Sequence, residues 1–382
     1  MTYGLSKGYT FVMQENVSQS LIGMTAQEIR GAVAAATGLP EFHGGQVADW
    51  LYRRMLPDQR GGFRASFEEM TNLPLAARTQ LAEAFPAKPI SLLERHEDTR
   101  DGTVKLLARL TEGNYPIECV LLPDSKRVSV CLSTQAGCAM GCVFCATGTQ
   151  GLTRNLSAGE IVGQFLMLQS ESQRRISHIV LMGMGEPLLN YDNTLKAIRI
   201  LNSECGVAMR HITLSTVGIV PNIDKLAQED LQITLAVSLH APNDSLRQRL
   251  VPVAKNYPLA KLMSSCKAYA NHTSRRLTFE YVLLKEVNDR PEDARELAQL
   301  MKGMPAALNV IPYNPTSVTE SFGRPEPSRI AAFRKILETA GVTVTQRKER
   351  GQQIAAACGQ LVTQSTKRTP GMRELPVLSG TV

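Results

Sequence analysis

Apolar positions recur along this chain at two different periods, and the change of period divides it. Thr25 and Glu28 form a capping-box pair ahead of an Ala-rich run closed by Gly38 and Pro40. Phe42, Val47, Trp50, Leu51 and Met55 then recur at helical spacing, as do Phe67, Met70, Leu75, Leu81 and Phe85. A helical accessory domain is expected over 21–92, behind a polar, flexible lead at 1–20. Over 93–123 the pattern turns strand-like, with turns at Asp101-Gly102 and Glu112-Gly113 around Val104 to Leu110 and Ile117 to Leu122, and predicts a linking β segment.

From 124 to 350 strands and helices alternate. Runs rich in Val, Ile, Leu and Thr at 127–133, 176–182, 211–216, 232–239, 276–284 and 306–312 predict six strands. Helical patterns lie between them, including Ser157 to Leu168 with a second capping box at Ser157 and Glu160, Asn193 to Leu201, Leu259 to Ala270 and Pro291 to Met301. Six βα units imply a parallel sheet that right-handed crossovers curl into a full or partial barrel. The fold class is therefore α/β, a partial (β/α)6 barrel with an N-terminal helical accessory domain. Ligands of such a barrel gather at the C-terminal ends of its strands. Residues 351–382 are set apart as a last segment and tail.

Composition changes this picture little. At 43% hydrophobic and 20% charged, the chain fits a soluble globular protein. No apolar run approaches the roughly 20 residues of a membrane helix, and the first residues lack a secretory pattern, so a cytoplasmic location is expected. A net charge of +7 suits a polyanionic partner but is also common without one. The eight cysteines are more informative, because four of them, Cys131, Cys138, Cys142 and Cys145, fall within fifteen residues. Such clustering reads as metal or redox chemistry before structural disulfides.

Cys138, Cys142 and Cys145 form a C-x3-C-x2-C motif just after the first barrel strand. Three thiolates can hold three irons of a 4Fe-4S cube and leave the fourth iron open, whereas structural zinc usually takes four protein ligands. A zinc knuckle borrowing Cys131 or a distant His is the competing reading. Later strand ends carry Gly185-Glu186, Ser215-Thr216, Ser238-Leu239-His240 and Asn314. Each alone reads as a capped turn or a satisfied core side chain; together they make a polar rim on one barrel face.

The cysteine motif, with Phe144 before its last cysteine, resembles the radical S-adenosylmethionine superfamily. Gly183 to Pro187, Leu214 to Thr216, Ser238 to Asn243, Ile311 to Pro315 and Ala356 to Leu361 together resemble the RlmN/Cfr family of RNA adenine methyltransferases, and the similarity runs from about Thr25 to Leu361. The resemblance implies a radical SAM core over 124–350 and a 4Fe-4S cluster on Cys138, Cys142 and Cys145. It implies S-adenosylmethionine contacts at Gly185, Glu186, Ser215, Ser238, Leu239, His240 and Asn314. It makes Cys358 the methyl carrier, Cys131 the resolving cysteine through a transient disulfide, and Glu118 the base that removes the ring proton. Two S-adenosylmethionine molecules are consumed per turnover, and an electron donor is required. The expected substrate is an adenosine of 23S ribosomal RNA methylated at C2, with transfer RNA as a second substrate and a monomeric enzyme acting on them. C8 methylation of the same RNA is the nearest rival, and an iron-sulfur RNA-binding protein is the non-enzymatic one. Val217 departs from the small residue that often follows Ser-Thr in the family. Arg347, Lys348 and Arg350, with Arg174, Arg175, Arg275 and Arg276, are the basic residues expected to meet phosphates.

Overall fold

The computed structural model describes residues 20–55, 62–316, 322–347 and 349–361. Nearly all of the expected flexible lead, Lys348 and the tail after Leu361 lie outside them. Three helices come first: α1 (Ala26–Thr37), α2 (Phe42–Tyr52) and α3 (Leu75–Ala84). The Thr25–Glu28 box caps α1 as read from sequence, and Gly38 ends it in the left-handed region at φ 70°.

One ten-stranded sheet dominates the rest. Strands β1 (Ile90–Asp98), β2 (Thr103–Leu110), β3 (Pro116–Pro123) and β4 (Val128–Cys131) are antiparallel neighbours. The segment expected as a linker is thus hydrogen-bonded into the barrel sheet, with Val120 of β3 opposite Cys131 of β4. A small separate hairpin, β5 (Gln135–Cys138) and β6 (Gly151–Asn155), follows, and then α4 (Ala158–Ser170). The parallel part continues with β7 (His178–Leu181), α5 (Tyr191–Ser203), β8 (Ile212–Thr216), α6 (Val220–Ala227), β9 (Thr234–Ser238), α7 (Asp244–Leu250) and α8 (Leu259–Thr273). It ends with β10 (Leu277–Leu283), α9 (Pro291–Leu300), β11 (Ala306–Pro312), α10 (Pro327–Thr339) and β12 (Val344–Gln346). The spatial order is β1-β2-β3-β4-β7-β8-β9-β10-β11-β12, and from β4 onward all neighbours are parallel. The six expected barrel strands are all present, and β12 adds a short seventh. No helix among the described residues is long and apolar enough to cross a membrane.

Helix α4 is buried along almost its whole length, because the sheet covers one side and the N-terminal residues cover the other. The N-terminal contact is backbone on backbone: a Cβ on Gly159 would stand 2.4 Å from the Ile22 carbonyl oxygen. Tyr52 of α2 locks that turn, its buried hydroxyl donating to the Met24 carbonyl at 2.8 Å and accepting from the Gly23 N–H at 2.9 Å. Gly159→Val should therefore force the helical segment off α4. The expected loss is about 1–3 kcal/mol, the usual cost of overpacking a close contact, read as a lower midpoint in thermal unfolding; an unchanged midpoint would show that the contact can yield.

Candidate active site

The polar rim expected at the strand ends surrounds a real cavity. Its wall includes Cys138, Cys142, Cys145, Gly185, Glu186, Ser215, Ser238, His240 and Asn314, with Cys358 at one side. Leu239 is the exception among the expected cofactor contacts: its side chain is fully buried and does not line the cavity. Its backbone is engaged instead, the N–H donating to the Glu280 carbonyl and the carbonyl accepting from Arg247 Nε at 3.2 Å.

The cysteine loop is fixed by a splice between the chain following β4 and the chain following β7. Gly183 N–H donates to the Leu132 carbonyl at 3.1 Å, and Thr134 N–H to the Met184 carbonyl at 2.8 Å. Ser133 Oγ accepts from Met184 N–H at 2.8 Å, and Gln135 Oε1 accepts from Glu186 N–H at 2.8 Å. A Cβ on Gly183 would stand 2.7 Å from the Leu132 carbonyl oxygen, and one on Gly185, at φ 106°, would stand 2.6 Å from Gln135 Cβ. These glycines are required by a neighbouring strand end as well as by any ligand.

Burial sets the charges here. It pushes the Glu186 carboxyl up to about 7, against hydrogen bonds from Val217 N–H (2.8 Å) and Leu188 N–H (3.0 Å) that favour the anion. It holds His240 neutral, down at about 3. The ring's Nδ1 accepts from Val282 N–H at 3.1 Å, which leaves the proton on Nε2, and Phe144 packs edge-on to it at 4.8 Å. Burial also raises all three motif thiols, Cys138 to about 12. Thiols so disfavoured as anions need a cationic metal centre to ionise them.

The donor set fits the cofactors the motif implies. Three cysteines face one cavity, and the buried Oδ1 of Asn314 on its wall has no hydrogen-bond partner among the described residues, so it remains available to a ligand's N–H or O–H groups. Three thiols on one cavity wall match a cube that leaves one iron open, whereas structural zinc usually takes four protein ligands.

A family model for the radical SAM superfamily matches residues 132–300. A "Probable dual-specificity RNA methyltransferase RlmN" from Thermosynechococcus vestitus is 48% identical over 341 residues, spanning 89% of this chain and 97% of the relative. Another of the same description, from Symbiobacterium thermophilum, is 45% identical over 357 residues, 92% and 94% of the two chains. The solved structure of a radical SAM methyltransferase from Sphaerobacter thermophilus superposes with a TM-score of 0.84 at 44% identity, covering 90% of this chain and 98% of that one. The chain belongs to the RlmN family.

Membership of the RlmN family directs attention to the second thiol pair. Cys131, Cys145 and Cys358 border a second cavity beside the first, together with Met182, Gly183, Asn314 and Arg347. Cys131 and Cys358 are both free thiols. Burial raises Cys131 to about 12, with a nearby Cys358 adding to that and Arg347 opposing it. The segment carrying Cys358 is tied over the site: Gly359 and Leu361 carbonyls accept from Ala146 N–H (2.8 Å) and Thr147 Oγ1 (2.6 Å), and Gln360 Nε2 donates to Pro315 at 2.8 Å. Glu118 lines neither cavity. It is buried on the same sheet face as Cys131, two residues from Val120 along β3, and its Oε1 is 2.9 Å from the ammonium of Lys105.

Several expected phosphate ligands are engaged inside the protein. Arg350 pairs with Asp124, Arg175 donates to Cys205 O (2.9 Å), Arg276 to Ala306 O (3.1 Å) and Arg275 to Ile233 O (3.2 Å). Arg174 donates to Asp124 O at 2.7 Å. Arg347 turns inward, Nη1 lying 3.0 Å from Met182 Sδ between the two cavities. Sequence reasoning passed over Lys105, Gln135 and Asn288; the last donates to both His240 O and Val282 O at 2.8 Å and so fixes the His240 turn. Nothing in their local pattern distinguishes them from surface polar residues.

Glu186 generates a pH prediction. With its carboxyl raised to about 7, it is mostly neutral below that pH and mostly anionic above it. As the expected partner of the S-adenosylmethionine ammonium, Glu186 attracts it only as the anion, so affinity should rise as pH increases through this range, measured by equilibrium dialysis. Glu186→Gln should flatten the profile and weaken binding roughly 10- to 100-fold at alkaline pH. An unchanged slope would assign the titration to another group.

Proposed function

We propose that this RlmN-family chain methylates C2 of an adenosine in 23S ribosomal RNA, and of an adenosine in transfer RNA, by way of an S-methyl group on Cys358. The observation that carries this is the placement of Cys358: it borders both the cysteine-motif cavity and the second cavity that holds Cys131. The names of the relatives support the dual RNA substrate and, through the family's chemistry, the C2 position. The reaction is assigned to the cytoplasm and to a monomer, with an external one-electron donor.

Cys138, Cys142 and Cys145 would hold the cluster, and Glu186, Ser215, Ser238, His240 and Asn314 the cofactor. When bound, the reduced cluster supplies the electron that makes S-adenosylmethionine a source of a carbon-centred radical. Two cofactor molecules are used per turnover, one as methyl donor to Cys358 and one as that source. An aromatic C–H carbon is too weak a nucleophile to take a methyl from a sulfonium directly, which is why a thioether carrier is needed.

The remaining steps fall to side chains. Cys358 takes the methyl as a thiolate. Its thioether carbon, once a hydrogen atom has been abstracted, bonds to the adenine ring carbon. Glu118, paired with Lys105, would accept the proton lost from that carbon as the adduct gives up its one unpaired electron to the oxidised cluster. Cys131 then attacks Cys358 sulfur: an S–S bond forms, the C–S bond breaks, and the released carbon takes a proton to become the methyl group. A cellular dithiol returns the disulfide to two thiols. The adenine has to leave its stack to reach so enclosed a site.

Mass spectrometry of nucleosides from RNA incubated with reduced enzyme and S-adenosylmethionine tests the whole reading. 2-Methyladenosine is expected; 8-methyladenosine would move the chain to the rival regiochemistry, and RNA binding without cofactor cleavage would make it a binding protein. Reconstituted protein should hold about four irons, lost in Cys138→Ala, Cys142→Ala and Cys145→Ala.

Two sets of variants separate the steps. Glu118→Gln should slow turnover by about 10²- to 10⁴-fold and accumulate an RNA adduct while cofactor cleavage continues; normal methylation would take the base role from Glu118. Cys131→Ala should load its methyl, attack the RNA and stay attached, giving a shifted band with labelled RNA on a denaturing gel. Cys358→Ala has no carbon to donate and should give none. The reverse pattern would exchange the two roles.

A further inference from the structure

Arg247 is the largest completely buried side chain among the described residues. It sits on α7, and its guanidinium donates to backbone carbonyls: Nη2 to Val217 (2.7 Å) and Ser238 (3.2 Å), Nε to Leu239 (3.2 Å) and Nη1 to Tyr257 (3.4 Å). Among the described residues no carboxylate stands within ion-pair distance of it. Asp244, on the same helix, adds some negative field but accepts from Leu259 N–H at 2.8 Å. Four carbonyl dipoles offset part of the cost of burying a full charge, and a neutral amide could satisfy some of the same acceptors at far lower cost.

A buried cation without a carboxylate needs another source of negative charge, and the geometry supplies one. Val143 N–H, inside the cysteine motif, donates to Leu250 O at 3.1 Å, which ties the motif to the end of the helix that carries Arg247. Val217 and Ser238, two of the guanidinium's acceptors, line the same cavity as Cys142. The positive charge of Arg247 reaches across that wall and favours the Cys142 thiolate, against the burial that disfavours it. A cube on three thiolates carries net negative charge, and one-electron reduction increases it.

We propose that Arg247 is a positioning residue whose fixed positive charge raises the reduction potential of the cluster on Cys138, Cys142 and Cys145. This deepens the cluster reading above and rests on it. One electron enters the cluster from an external one-electron reductant, and Arg247 neither gains nor loses a proton. It acts through the field it sets and through the carbonyls it holds.

The test is a potentiometric titration, followed by electron paramagnetic resonance without S-adenosylmethionine, on full-length reconstituted wild type, Arg247→Met and Arg247→Lys, each at a series of pH values. Iron content is checked in every sample, and a wild type that binds no iron would defeat the cluster reading itself. Arg247→Met should titrate at a more negative potential than wild type. Arg247→Lys should approach wild type at the acidic end of the series and fall toward the Met variant as pH rises, because a buried lysine loses its proton at a pH where arginine keeps it. A merely structural role would lower iron content or thermal stability without producing this pH-linked shift. A wild-type potential in Arg247→Met overturns the proposal. Where that variant cannot be loaded, an Arg247→Lys potential that tracks wild type at every pH overturns it equally.

Discussion

The approach of the chain leaving β7 to the chain leaving β4 is the constraint on which the site depends. Gly183 and Gly185 bring the two strand ends so close that a single added carbon would meet backbone or Gln135 at 2.7 and 2.6 Å. The hydrogen bonds through Ser133, Thr134 and Gln135 then fix where β5 begins, and β5 ends on Cys138. The first cysteine is therefore registered against Glu186 through close backbone approach together with the buried side chains of Ser133 and Gln135. A loop carrying three cysteines could otherwise sample many arrangements, at roughly 1–2 kcal/mol of entropy per residue when finally ordered. The splice moves that ordering cost from metal binding to folding.

Burial is the second ingredient, and it acts in opposite directions on the groups around the cavity. It raises Glu186 and the motif thiols, lowers His240, and encloses Arg247 without removing its charge. A neutral His240 can serve as a hydrogen-bond donor through Nε2 without repelling a sulfonium. A half-ionised Glu186 can respond to an arriving ammonium. The result is a cavity whose charge is low until its cofactors enter, which avoids the large penalty of unpaired ions in a low-dielectric site.

The barrel was legible because its strands are long apolar runs separated by capped helices, a pattern set by burial on both faces. The cysteine motif and the strand-end polar residues were legible because their chemistry is rare in a core. What escaped has physical reasons of its own. Strand β12 is three residues, partly exposed, and pairs on one side only, so it carries no hydrophobic signature. The β5–β6 hairpin is built from small and polar residues that backbone contacts alone make extended. Leu239 reads as a ledge residue because its neighbours are, yet the alternation of side chains along a strand end sends it into the core. Arg347 reads as a phosphate ligand from its basic neighbours, and only the tertiary fold turns it toward Met182, Cys131 and Cys358.

The antiparallel strands β1 to β3 explain how Cys358, the proposed methyl carrier and remote in sequence, is brought to the barrel. Asp98 and Asp101, at the β1–β2 turn, accept from the N–H groups of Gln353 (3.3 Å) and Gly351 (3.0 Å). Lys105 of β2 donates to the Ala355 carbonyl at 3.4 Å while it pairs with Glu118 of β3. Gly351 takes φ 65° and packs so closely on Thr103 that a Cβ there would stand 2.8 Å from its methyl group. The same strands that bear Glu118 thus anchor the arm that bears Cys358, while β4, their direct neighbour, ends on Cys131. Three residues whose proposed roles follow one another in a single reaction are held by one hydrogen-bonded sheet edge. A change in the β1–β2 turn should accordingly be felt at Cys358 before it is felt at the cysteine motif, which hangs from the other side of β4.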